Sequence, residues 1–121
     1  MDQKNKEKIE QIIKDRKRAH HQLVTKKSPV YDAFLQLEKE TYTGRALGKM
    51  SKELIAVGIS IVINCESCME WHIHEALEAG ASEDQVLEAM EVGIEMGGGP
   101  ATVSARFALQ VLEYYKKDPI K

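Results

Sequence analysis

The chain has 121 residues, one domain's length, and its 43% hydrophobic and 30% charged residues form a balance that argues against disorder. With 6% aromatic residues and three prolines, a proline-rich or all-β repeat fold is unattractive, and a formal net charge of −2 excludes strong attraction of the whole chain to nucleic acid. A domain this short buries a limited core, which predicts support from a second subunit.

Residues 1–121 read as one all-α domain, with residues 1–27 forming a basic N-terminal helix. That first helix runs from Lys4 to Val24 with a sparse apolar face of Ile9, Ile12, Ile13, Leu23 and Val24. Residues 1–40 hold ten Lys/Arg and seven Asp/Glu, against seven and twelve in the remainder. The basic excess (Lys14, Arg16, Lys17, Arg18, Lys26 and Lys27) is expected to be a solvated face rather than a nucleic-acid or membrane arm. Ser28-Pro29 restarts a helix, with Ser as cap and Pro at the first helical position, and Val30, Tyr31, Phe34, Leu35 and Leu37 form its apolar stripe. Ser51 is expected to cap a third helix reaching Ile63. Asn64 is expected to cap a fourth that ends at Gly80, a natural left-handed position. Ser82 and Gln85 fit a capping box for the fifth. Gly97–Gly99 then breaks the chain, and Pro100 opens the last helix, to Lys116.

Residues Leu54–Ile63 are rich in β-branched side chains and could be a buried strand, as in a thioredoxin arrangement. The capped segment is long for a strand, and a lone strand would have no partner for its backbone groups. Helix is therefore expected, central and buried because it is apolar all round. This stretch is also too short to span a bilayer, and the polar N-terminus MDQKNKEKIE lacks a signal peptide's apolar core. The expected compartment is the cytoplasm, with no membrane and no nucleic-acid partner.

Chemistry concentrates in Cys65-Glu-Ser-Cys-Met-Glu-Trp-His72. In a reducing compartment, a C-x-x-C points to redox or metal chemistry rather than to a structural staple. Three residues apart on a helix, Cys65 and Cys68 can close a disulfide. The helix N-terminus favours thiolate, most strongly at Cys65. His72 lies one turn beyond Cys68 and can accept its proton. If the third and fourth helices form a hairpin around Asn64, Glu53 lies eleven residues before the turn and His72 eight after it. At about 1.5 Å rise per residue these are roughly 16 and 12 Å along antiparallel axes. Glu53 then sits nearly level with His72, where a carboxylate orients the imidazole and stabilises imidazolium. The expected relay runs from Glu53 to His72 to Cys68, with Cys65 as resolving thiol.

The pattern Glu53-x11-Cys65-x-Ser67-Cys68-x3-His72, continued by His-Glu-Ala-Leu-Glu-Ala-Gly80 and Ala-Ser-Glu-Asp-Gln-Val86, resembles the active-site motif of the AhpD-like (alkylhydroperoxidase D-like) branch of the carboxymuconolactone decarboxylase family. The resemblance implies an all-α domain assembled as a trimer or hexamer. It implies peroxidase or protein disulfide reductase chemistry without metal, flavin or other cofactor, with a peroxide or disulfide as substrate and an external dithiol as electron donor. It also implies that Cys68 attacks and Cys65 resolves. The peroxidase motif has a histidine where this chain has Ser67, which cannot act as a base near neutral pH, so proton delivery is expected to differ. The decarboxylases that name the family typically lack the cysteine pair.

Among the other candidates, Trp71 is expected in the core or a subunit interface. His74 is expected to face solvent, His20 and His21 to lie on the surface, and Met90 and Met96 to fill core. A zinc site is disfavoured, because His72 and His74 point roughly 200° apart on a helix and no second ligand pair completes a tetrahedron. The alternatives to a thiol oxidoreductase are a non-enzymatic redox- or metal-responsive interaction protein and a decarboxylase-like enzyme. A reactive cysteine titrating well below about 8.5 would separate the first alternative from an enzyme.

Overall fold

Side-chain caps set most of the helix starts in the computed structural model, which describes residues 1–116. The Asp2 carboxylate accepts the Lys4 backbone N–H and opens α1 (Gln3–Thr25). The Ser28 hydroxyl accepts the Tyr31 N–H ahead of Pro29 and opens α2 (Pro29–Tyr42). Both bonds of the Ser82–Gln85 capping box are formed at the start of α5 (Glu83–Gly97). Gly98, at φ 72°, makes the turn into α6 (Gly99–Tyr115). Among the described residues every regular element is a helix.

Two caps differ from expectation, at the starts of α3 and α4. Helix α3 (Lys49–Val62) begins after Gly48, without a side-chain cap, and Ser51 lies inside its first turn. The earlier start brings Lys49 onto the helix, four residues from Glu53, where the two pair. Asn64 does not cap α4 (Glu66–Glu78); Cys65 does, in extended conformation, and its Sγ accepts the Cys68 N–H at 3.1 Å. Asn64 instead takes φ 53°, the left-handed conformation that reverses the chain between two helices and that Asn tolerates better than most residues. It therefore lacks the extended backbone that a helix cap requires.

Helix α3 is central and packs against α4, α5 and α6. Val57 and Ile61 of α3 meet Met69 and Ile73 of α4, Met90 of α5 and Ala108 of α6 in the buried core. A Cβ built on Gly93 would lie 2.6 Å from the Gly58 carbonyl oxygen, so the absence of a side chain there is what lets α5 approach α3. Burial of α3 is one-sided. Ile55, Ile59, Val62 and Ile63 are about half exposed, and Met96, expected in the core, is exposed as well. Ile55, Ile59, Val62 and Met96 line an open groove of 660 Å³ between α3 and α5 rather than the interior. Helix α2 buries no residue, and Val30, Phe34 and Leu37 face outward.

A buried polar cluster fastens α1 to this core. The Glu70 carboxylate, wholly buried, accepts bonds from the Arg16 guanidinium of α1 and the Tyr115 hydroxyl of α6. Burial and the neighbouring Glu70 push the Tyr115 phenol well above its ordinary range. Arg16 also lies 4.8 Å over the half-buried Trp71 ring. His74, expected in solvent, is half-buried because its ring packs 4.6 Å from that of Tyr115. Among the described residues no helix is long and apolar enough to cross a membrane.

Candidate active site

The site lies at the α3–α4 turn. Cys65 and Cys68 form a disulfide with Cα atoms 5.1 Å apart. One turn along α4, His72 meets Glu53 of α3 across the hairpin, with Nδ1 and Oε1 2.7 Å apart. The helical rise brings these two residues level, as antiparallel register requires. Glu53 is 2% exposed, and its second oxygen accepts from Lys49 Nζ at 2.8 Å. Lys49 also donates to Glu75 at 3.3 Å. Burial draws the Lys49 ammonium down, but its bonds to Glu53 and Glu75 outweigh that and hold it above its ordinary value.

This arrangement selects a tautomer. An ionised carboxylate only accepts hydrogen bonds, so Nδ1 carries the proton and donates it to Glu53. In the neutral imidazole that leaves Nε2 as the basic nitrogen.

Cys68 and His72 line the same open cleft, of 520 Å³, whereas Cys65 is not among its lining residues. Its floor is the outer face of α3, with Ile55, Ala56, Ile59 and Ile63. Tyr42, at the end of α2, forms one wall, with its ring 5.3 Å from the His72 ring. Burial first, and then the Glu53 carboxylate, push the Tyr42 phenol up, so it remains a neutral hydroxyl at neutral pH. Ser67, one of the two residues between the cysteines, is exposed.

The four expected site residues, Glu53, Cys65, Cys68 and His72, therefore gather at one hairpin. Tyr42, Lys49 and Glu75 join them unforeseen. The Lys49–Glu53 spacing of four residues is a recognisable helical pair. Tyr42 is thirty residues from His72 in sequence and carried no local signal. His20 is elsewhere on the surface, with Nδ1 2.6 Å from the Tyr31 hydroxyl, and Met90 is core.

Fold and site together define an all-α protein with a disulfide-forming C-x-x-C on its central hairpin. The model of the carboxymuconolactone decarboxylase family matches residues 28–111, and the chain belongs to that AhpD-like family. It is 43% identical over 82 residues to uncharacterized protein 4 in the cox locus of Paracoccus denitrificans, covering 68% of this chain and 74% of that one. It is 36% identical over 72 residues to the alkyl hydroperoxide reductase AhpD of Anaeromyxobacter sp. strain K, covering 52% of this chain but 39% of that protein. Among solved structures, a carboxymuconolactone decarboxylase family protein from Legionella pneumophila, in its apo form, superposes with a TM-score of 0.85. The two chains are 27% identical, over 91% of this one and 98% of the other.

Proposed function

We propose that this chain is a thiol-dependent oxidoreductase in which Cys68 attacks a peroxide or a disulfide and Cys65 resolves the product. The supporting observation is that Cys68 and His72 share one open cleft while Glu53 holds His72 in the tautomer that leaves Nε2 basic.

In the peroxide reaction, Nε2 takes the Cys68 thiol proton and the thiolate attacks the terminal oxygen. The O–O bond breaks, Cys68 becomes a sulfenic acid, and the alkoxide takes the proton from His72 to leave as an alcohol. The Cys65 thiolate then attacks Cys68 Sγ. The S–S bond forms, the S–O bond breaks, and hydroxide leaves as water with the proton that the Cys65 thiol gives up. With a disulfide substrate, Cys68 displaces one thiolate, which His72 protonates, and Cys65 displaces the other. An external dithiol reduces Cys65–Cys68 through a mixed disulfide and is itself oxidised to a disulfide. The electrons come from that dithiol, so the reaction needs no metal or organic cofactor.

Membership in a family named for a decarboxylase does not redirect this reading, because a vicinal cysteine pair serves electron transfer and has no role in decarboxylation. Turnover assays with a hydroperoxide and with a protein disulfide, each supplied with a dithiol, test the proposal. Turnover of either that requires both cysteines supports it; no turnover of either, by protein whose pair does not cycle, refutes it.

The proposal includes a homo-oligomer, trimer or hexamer, in which a second copy covers the α5 side of the α3–α5 groove, at Val62, Val92 and Met96, and leaves Ile55 and Ile59 open to the cleft over Cys68. This chain carries both an exposed apolar groove and an exposed apolar stripe on α2, complementary in character. Sedimentation as a clean 13.6 kDa monomer at micromolar concentration would contradict it.

A further inference from the structure

The cleft over Cys68 carries two cations that the thiol chemistry does not use. Arg45, in the α2–α3 loop, and Lys52, in the first turn of α3, both line it, and no carboxylate does. Among the described residues neither has an acidic partner within ion-pair distance. Lys52 Nζ donates to the Thr43 carbonyl at 2.8 Å, which fixes its position and leaves two N–H groups for a ligand. The contrast with Lys49, three residues earlier, is informative. Lys49 is held by Glu53 and Glu75 behind His72, whereas Lys52 faces the open side.

The setting is otherwise acidic. Residues 41–121 hold seven basic and twelve acidic side chains, yet the lining of this cleft is positive. Lys52, Ala56, Ile59 and Ile63 follow one another at helical spacing along a single stripe of α3. The cation lies at the start of that stripe, and Cys68 lines the same cleft from α4. A substrate joining Lys52 to Cys68 across this cleft therefore lays an apolar body along Ala56 and Ile59.

From this juxtaposition we infer that the cleft selects anionic, amphipathic substrates: a carboxylate held by Arg45 and Lys52, an apolar body along Ile55, Ala56 and Ile59, and the reducible bond at Cys68. This rests on the thiol reaction proposed above and adds its substrate class. Arg45 and Lys52 act as specificity determinants and take no part in proton transfer.

The test uses two matched pairs of probes on the reduced full-length protein. One pair is an iodoacetamide carried on a long-chain carboxylic acid and its methyl ester, which alkylate thiols regardless of any peroxidase activity. The other is a long-chain fatty acid hydroperoxide and its methyl ester. Relative to a free thiol, wild type should favour the anionic member of each pair by about tenfold, and high salt should erase the preference. Arg45→Gln with Lys52→Gln should remove it, Lys52→Arg should retain it, and Arg106→Gln, outside the cleft, should leave it intact. Equal rates for acid and ester in wild type, or a preference that survives the double substitution, would overturn the inference. If neither hydroperoxide oxidises the pair but the alkylation preference follows the two cations, the peroxide reading fails and the anion site stands.

Discussion

Glu53→Gln tests the relay most severely, because the surrounding geometry dictates how the new amide must sit. Lys49 Nζ donates to one Glu53 oxygen at 2.8 Å, and His72 Nδ1 lies 2.7 Å from the other. In the variant the ammonium still needs an acceptor, so the amide oxygen turns toward Lys49 and the NH2 group faces Nδ1. Nδ1 must then accept, which moves the ring proton to Nε2 and abolishes the base. The lost negative charge adds a second effect. Unit charges about 4 Å apart interact by about 4 kcal/mol at an effective dielectric of 20, and if Lys49 offsets half of that, about 2 kcal/mol of imidazolium stabilisation remains. That alone is about 30-fold in rate, and loss of general-base assistance is worth about 10²–10⁴-fold. The assay is stopped-flow oxidation or alkylation of Cys68 at neutral pH, in protein shown by circular dichroism to be folded. A loss of at least about 10²-fold is expected, shrinking at high pH where hydroxide deprotonates the thiol directly. Adding Lys49→Met frees the amide to turn and should restore part of the rate. A Glu53→Gln rate within a factor of about two of wild type, with thiol attack rate-limiting, would refute the reasoning.

Arg16→Met leaves the wholly buried Glu70 with only the Tyr115 hydroxyl, and should cost about 3 kcal/mol in urea unfolding; an unchanged midpoint would show that α1 is not anchored there. Gly93→Ala puts a methyl group 2.6 Å from the Gly58 carbonyl oxygen and 2.9 Å from Ile61 Cβ. It should destabilise by about 1–3 kcal/mol in the same measurement. Ser67→His places a base between the cysteines at an exposed position. If its absence limits peroxide turnover, it should raise peroxidase activity more than disulfide reduction, as measured by parallel steady-state assays.

The legible part of this molecule is the part governed by helical periodicity. The six helices of the described residues follow from caps, glycines and apolar spacing, and the fixed rise per residue is what brings Glu53 level with His72 across the hairpin. The misplaced details are turn chemistry. Ser51 and Asn64 are good capping residues by type, but the pairing of Lys49 with Glu53 and the left-handed reversal at residue 64 decide where α3 and α4 begin. Apolar character alone does not distinguish core from open groove: Met96 and one face of α3 read as interior by type and are exposed. The Tyr42–His72 stacking and the Arg16–Glu70–Tyr115 cluster join residues far apart in sequence and from different helices, so no local pattern announces them.

Which sulfur attacks is the point on which the account turns, and two physical indications oppose each other. Cys65 caps α4, where the helix dipole favours a thiolate, while Cys68 faces the cleft beside His72. Mass spectrometry of reduced protein exposed to one equivalent of hydroperoxide in the presence of a sulfenic-acid trap decides between them. The account predicts an intramolecular Cys65–Cys68 disulfide in wild type, a trapped sulfenic acid on Cys68 in Cys65→Ser, and no trapped adduct in Cys68→Ser. A stable adduct on Cys65 in Cys68→Ser, with none on Cys68 in Cys65→Ser, would contradict it.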